Sequence, residues 1–224
     1  MKQVHVKSGD LREVFGKEPR DLHAHLLRLC VLFEDLRVEF RGFGVEPIPE
    51  LDELSITLRR QYFIRRSIAT LLEFAECFRK INESPDFASL LRPVMERHPE
   101  GVATWEGCVA FFNENEATIR KVRNDLGGHF GEQAARAVIQ ELVSEPDQVI
   151  GDVGITQDEE SGNYGPLFHC ATIFTDLAMA RHRPAGMERK DFINGLGKIA
   201  NEAYRFAGRA TNVAVGLYIV PQIG

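Results

Sequence analysis

The sequence predicts a mainly α fold: a helical bundle with a small β-hairpin insertion and additional C-terminal helices. Apolar residues recur at alternating three- and four-residue steps through several long segments, as in helices that bury one face. Stretches containing Gly and Pro separate those segments, and the pattern changes after Pro146. With 224 residues, 44% apolar and 27% charged, the composition is that of a globular protein, and one elaborated domain over 1–224 is expected.

In the first helix, Leu22, Leu26, Leu29, Phe33, Leu36 and Phe40 share a face, with Asp21 as its cap and Gly42, Gly44, Pro47 and Pro49 as its stop. A longer helix is expected from about Glu50 towards Ile81, with Leu54, Leu58, Tyr62, Ile68, Leu72, Ala75 and Phe78 inward. Ser84-Pro85-Asp86 reads as a cap with Pro just inside a shorter helix, which His98-Pro99 closes. A fourth helix begins between Gly101 and Thr104 and buries Trp105, Val109, Phe112, Ile119, Val122 and Leu126. Gly127-Gly128 interrupts it, and an amphipathic segment from Phe130 to Val143 follows. Val149 to Ile155 and Tyr164 to Phe168 flank a polar, turn-rich stretch and are read as a hairpin. A helix from about Cys170 to Arg181 comes next. The last helix carries Phe192, Leu196, Ile199, Ala203, Phe206, Ala210 and Val213.

Several chemistries are excluded by what is missing. The formal charge of −6 argues against a broad basic surface for duplex nucleic acid, which needs many clustered cations. The N-terminal Met1 to Asp10 lacks the apolar run of a secretion signal, and no stretch is long enough to cross a bilayer, so a cytoplasmic location without membrane partners is expected. Cys30, Cys77, Cys108 and Cys170 form no C-x-x-C pair and are read as buried free thiols. No Glu-x-x-His pair, H-E-x-x-H or P-loop occurs, so neither metal nor cofactor is expected. Gly195-Leu196-Gly197-Lys198 sits within helical periodicity and is followed by Ile199, not by Ser or Thr. His23 and His25 lie about 200° apart around a helix, too far to chelate one ion, and are read as surface and boundary residues. Arg59, Arg60, Arg65 and Arg66 are read as a solvated helix face.

The segment Arg123-Asn124-Asp125-Leu126-Gly127-Gly128-His129 is the one chemically suggestive feature. Read structurally, its polar residues finish a helix and a glycine makes the left-handed cap. Read functionally, Arg123 and His129 must converge. On an unbroken helix they differ by about 240° in direction, so a break at Gly127-Gly128 or a second copy of the segment has to complete the site. Such a pocket suits RNA cleavage: a guanidinium holds the phosphate, an imidazole moves protons near neutral pH, and Asn124 orients by hydrogen bonding.

Arg123, Asn124 and His129 resemble the motif of the HEPN superfamily, in which an Arg and a polar residue precede a His by a short spacing. The resemblance covers residues 50–145 as a candidate HEPN-like core. The hairpin at 146–168 and the C-terminal helices at 169–224 exceed a minimal domain of that kind. It implies a metal-independent endoribonuclease acting as a homodimer, with Arg123 and His129 catalytic and Asn124 assisting. It also implies an RNA substrate, a toxin or phage-defence setting, an antitoxin or other protein partner, and products with 2′,3′-cyclic phosphate and 5′-hydroxyl ends.

Two other readings stand beside it. A non-catalytic helical binding or sensor module would make the segment a structural turn, with Arg123 paired to an acid such as Glu116. A hydrolase using His169, His182 and Asp176 is the weaker alternative.

Overall fold

In the computed structural model of the chain, the described residues are 13, 20–43, 53–126, 132, 135–136, 138–140, 153–157, 164–168, 177–178 and 181–223. Among them the protein is mainly helical. Helices α1 (Arg20–Phe43) and α2 (Glu53–Glu83) precede a π-helical turn (Phe87–Leu91), α3 (Arg92–Glu96) and α4 (Pro99–Leu126). Strands β1 (Val153–Gln157) and β2 (Tyr164–Phe168) follow, then α5 (Arg189–Ala214), a second π-helical turn (Val215–Ile219) and α6 (Val220–Ile223). The strands pair antiparallel, with Val153 opposite Phe168 and Gln157 opposite Tyr164. The helices expected at 130–143 and 170–181 lie largely outside the described residues, although Glu132, Arg136 and Leu177 are helical. Among the described residues, no helix is long and apolar enough to cross a membrane.

Contacts divide the chain into two compact units. One comprises Met1–Arg37, Thr70–Ala117 and Ile199–Gly224; the other comprises Val38–Ala69 and Thr118–Lys198.

The first unit is organised around Trp105, which is 1% exposed. Its ring lies 4.3 Å from Phe78 and 5.3 Å from Phe87 between centroids, and Phe112 in turn approaches Phe74 and Phe78. These tilted and offset arrangements are the ones that aromatic quadrupoles favour. An indole N–H buried this deeply needs an acceptor, and Asn82 Oδ1 accepts it at 3.1 Å. The Ser84 hydroxyl accepts the amide of Asp86 at 3.2 Å, starting the short helical stretch with Pro85 just inside it as expected.

Helix α4 begins at Pro99, earlier than the expected start at Gly101 to Thr104. A proline in the first turn loses nothing, because its missing N–H would have had no partner there. The His98 carbonyl instead accepts from Gly101 at 2.7 Å and Val102 at 3.3 Å.

His23 corrects its expected place at the surface. It is 3% exposed, and its Nε2 lies 3.1 Å from the Tyr218 hydroxyl in the second π-helical turn. Position 23 is one residue past fully buried Leu22, about 100° around the helix, so the core face of α1 is wide enough to include it. His25, about 200° from His23, is only half-buried.

In α5 the deepest stripe is Ala203, Ala207, Ala210 and Ala214, each at most 1% exposed. Ala203 and Ala210 lie on the stripe as expected, whereas Phe206 and Val213, expected on the same stripe, flank it half-buried. Small side chains let the backbone approach its neighbours, and Gly208 continues the effect: a Cβ there would stand 3.0 Å from the Phe33 ring.

The second unit contains the end of α1 and the start of α2. Helix α1 runs through Gly42 to Phe43, although Gly42 was expected to lie in its stop signal. The glycine is needed because the Phe63 ring occupies the space of a side chain, 2.5 Å from where a Cβ would sit. Tyr62, expected inward, is 52% exposed. Six residues separate it from buried Ile68, which turns it about 240° around α2. Its ring rests edge-on against Phe63, and the Arg59 guanidinium lies 5.8 Å from the Phe63 ring centre. Arg66 is half-exposed and stands 3.8 Å from Glu39, so the arginine run is partly paired and only partly solvated. In the turn before α5, Gly186 has φ +82°, a left-handed conformation that a side chain would strain.

Two stability predictions follow from these contacts. Asn82→Leu strands the Trp105 N–H and is expected to cost about 1–3 kcal/mol; urea unfolding followed by the fluorescence of the single tryptophan measures it. Gly42→Ala should destabilise by about 1–3 kcal/mol through overpacking against Phe63, outweighing a helix-propensity gain of about 1 kcal/mol. Adding Phe63→Leu should recover part of that loss in the same assay.

Candidate functional site

The end of α4 carries the sequence-predicted site. Ile119 and Val122 are 5% and 1% exposed and mark the buried side of this end of the helix. Arg123 and Asn124 follow Val122 by about 100° and 200° around the axis, so both project away from that buried side. Both are exposed. Arg123 lies in the last turn, where a cation is stabilised by the unsatisfied carbonyls of the helix end.

No ion pair joins Arg123 to another described residue, so the Arg123–Glu116 pair expected of a purely structural turn is not formed. The structure therefore brings Arg123 and Asn124 together at an exposed helix end. Gly127, Gly128 and His129, which complete the expected triad, lie outside the described residues. Of the weaker hydrolase set, His182 is half-buried in a turn, while His169 and Asp176 also lie outside.

Sequence reasoning did not find a second concavity, a groove between α2 and α4 in the first unit. Phe78, Val109 and Phe112 form its apolar side, and Arg79, Glu83 and Asn113 are among its polar lining. Arg79 and Glu83 stand 3.7 Å apart as an i,i+4 pair. The space is about 80 Å³, whereas pockets for drug-sized ligands hold roughly 300–1,000 Å³. The groove suits a single side chain or small group and is too small for a nucleotide. Its signal in the sequence was faint, because Asn113 and Glu116 occupy ordinary polar positions beside the apolar stripe.

The thiols are poorly disposed to act as nucleophiles. Cys77 is buried and its S–H donates to the His25 carbonyl at 3.3 Å; burial pushes its pKa up to about 11, with nearby Arg28 and Lys80 opposing. Burial also raises Cys108, whose thiol donates to the Phe206 carbonyl at 3.7 Å. Cys30, half-buried, is raised by desolvation and then by the charge of Glu34. Cys170 lies outside the described residues. A thiol raised from 9.0 to about 11 has roughly a hundredfold less thiolate at pH 8. Iodoacetamide at that pH should therefore label Cys77 and Cys108 of the native protein at least that much more slowly than the urea-unfolded chain, as read by peptide mass spectrometry.

No family model, no curated protein and no solved structure matches this chain.

Proposed function

We propose that this protein is a HEPN-like, metal-independent endoribonuclease whose site is built from Arg123, Asn124 and His129. The observation that supports the reading most is the exposed Arg123, placed at the end of a buried-faced helix and unengaged by the neighbouring acid that a structural turn would use. A guanidinium exposed at a helix end is suited to a phosphodiester, which it holds through paired charge-assisted hydrogen bonds.

In the reaction, His129 takes the proton from a ribose 2′-hydroxyl, and the 2′-oxygen bonds to phosphorus as the P–O5′ bond breaks. Arg123 stabilises the charge that develops on the phosphorane oxygens. A second proton reaches the leaving 5′-oxygen, leaving a 2′,3′-cyclic phosphate and a 5′-hydroxyl. Asn124 holds the substrate or the imidazole in place. Because Arg123 and His129 are far apart on a regular helix, the reading requires a helix break at Gly127-Gly128 or a second subunit to complete the constellation. The strand pair β1–β2 is read as an insertion into the helical domain, and a cytoplasmic toxin or phage-defence role with a protein antitoxin as the setting.

A second reading, a non-catalytic binding module, has the α2–α4 groove in its favour. The groove fits one side chain of a partner and needs neither Arg123 nor His129.

Purified protein incubated with mixed RNA decides between them. Cleavage should survive chelator, and His129→Ala and Arg123→Ala should each slow it by about 10²- to 10⁴-fold, the usual weight of acid–base and oxyanion groups. RNA that stays intact, or cleavage indifferent to His129→Ala in a protein that melts normally, would sink the ribonuclease reading and leave the binding module.

A further inference from the structure

Between Glu53 and Glu73, helix α2 carries four arginines and no acid, on a chain whose formal charge is −6. Positive charge is thus concentrated on one short stretch of an acidic molecule, and the local field there, not the net charge, governs which ligand is drawn in. The stretch from Arg59 to Arg66 lies wholly within the second unit.

An aromatic ring stands at its centre. Around the helix, Arg59 and Arg66 lie about 60° and 40° to one side of Tyr62, and Arg65 about 60° to the other. Along the axis Arg59 comes roughly 4.5 Å before Tyr62, with Arg65 and Arg66 roughly 4.5 Å and 6 Å beyond it. Tyr62 is exposed, and its ring meets Phe63 at 78°, so Phe63 does not stack on it. The Arg59 guanidinium lies 5.8 Å from the Phe63 ring centre, a contact that favours its staying beside the aromatic pair. Glu39 stands 3.8 Å from Arg66 and offsets one of the three charges.

A ring bracketed by guanidinium groups suits a chain that alternates flat bases with phosphates. With a base stacked on Tyr62, the phosphates on its two sides fall towards Arg59 and towards Arg65 and Arg66. Every base has a stackable face, so such a grip carries little sequence preference. A duplex keeps its bases stacked on one another and offers Tyr62 nothing. An acidic peptide would engage the arginines but not the ring.

We propose that the face of α2 formed by Arg59, Tyr62, Arg65 and Arg66 binds single-stranded nucleic acid, with one base on Tyr62 and the flanking phosphates on the arginines. The proposal does not depend on the ribonuclease reading, since it uses none of Arg123, Asn124 or His129.

Fluorescence anisotropy of labelled oligothymidylate, titrated with the full chain, tests it. DNA has no 2′-hydroxyl, so this strand cannot be cut by the reaction proposed above, and binding is read whether or not the chain cleaves RNA. Three phosphate contacts on a single strand should give log affinity against log salt a slope of about −2. Tyr62→Ala should weaken binding about five- to a hundredfold, whereas Tyr62→Phe, which keeps the ring, should bind as the parent protein does. Arg59→Gln/Arg65→Gln should weaken binding and flatten the salt slope by about 1.4. Helical circular dichroism and melting of these variants should match the parent. A 2′-O-methyl oligouridylate, equally uncleavable, is run in parallel; the strand held more tightly tells RNA from DNA, and tight binding of either supports the proposal. No binding of either strand at low salt, binding indifferent to Tyr62→Ala in a protein that melts normally, or equal competition by duplex DNA or polyglutamate would each overturn it. Equal competition by polyglutamate would mark a face for acidic protein segments instead.

Discussion

The first unit depends on burying one indole completely without losing its hydrogen bond. Trp105 brings a large apolar surface, but its N–H cannot be left dry, so Asn82 on α2 has to present an amide oxygen at one fixed place. That requirement sets the axial position of α4 against α2, because sliding either helix by a residue breaks the bond and separates Trp105 from Phe78 and Phe87. The neighbouring aromatics then have little freedom in how they pack. Apolar contact alone tolerates small slips between helices; a directional bond inside an apolar cluster does not. The hydrophobic term supplies most of the stabilisation, and the single polar bond supplies the register.

Much of this was legible in the sequence because period and burial are linked. Leu22, Leu26, Leu29 and Leu36 are fully buried as their spacing implies, and Ile119 and Val122 fall on the buried side of α4. The misreadings share a cause. Tyr62, Phe206 and Val213 were taken as inner residues alongside Ala203 and Ala210, which the spacing placed correctly. Inside a helical unit the position of closest approach goes to the smallest residues, hence Ala203, Ala207, Ala210 and Ala214. His23 was misplaced for a related reason: its ring is polar, but the packing against it offers a tyrosine hydroxyl, which only the tertiary structure could show.

The candidate site divides in a similar way. Exposure of Arg123 and Asn124 could be inferred once Val122 was placed inward, because helical geometry fixes the directions of the next two residues. The spatial relation between Arg123 and His129 could not, since it passes through two glycines whose backbone angles sequence does not determine.

The bond between His23 and Tyr218 joins residues 195 positions apart in sequence. During synthesis α1 emerges long before the segment from Ile199 onward that completes its unit. Until then α1 has the α2 contacts Cys77–His25 and Arg28–Glu73 within reach, but His23 lacks its hydroxyl partner. Long-range closure of this sort slows folding and extends the window for misassociation. The cost of such a closure falls on the speed of folding rather than on the stability of the folded unit.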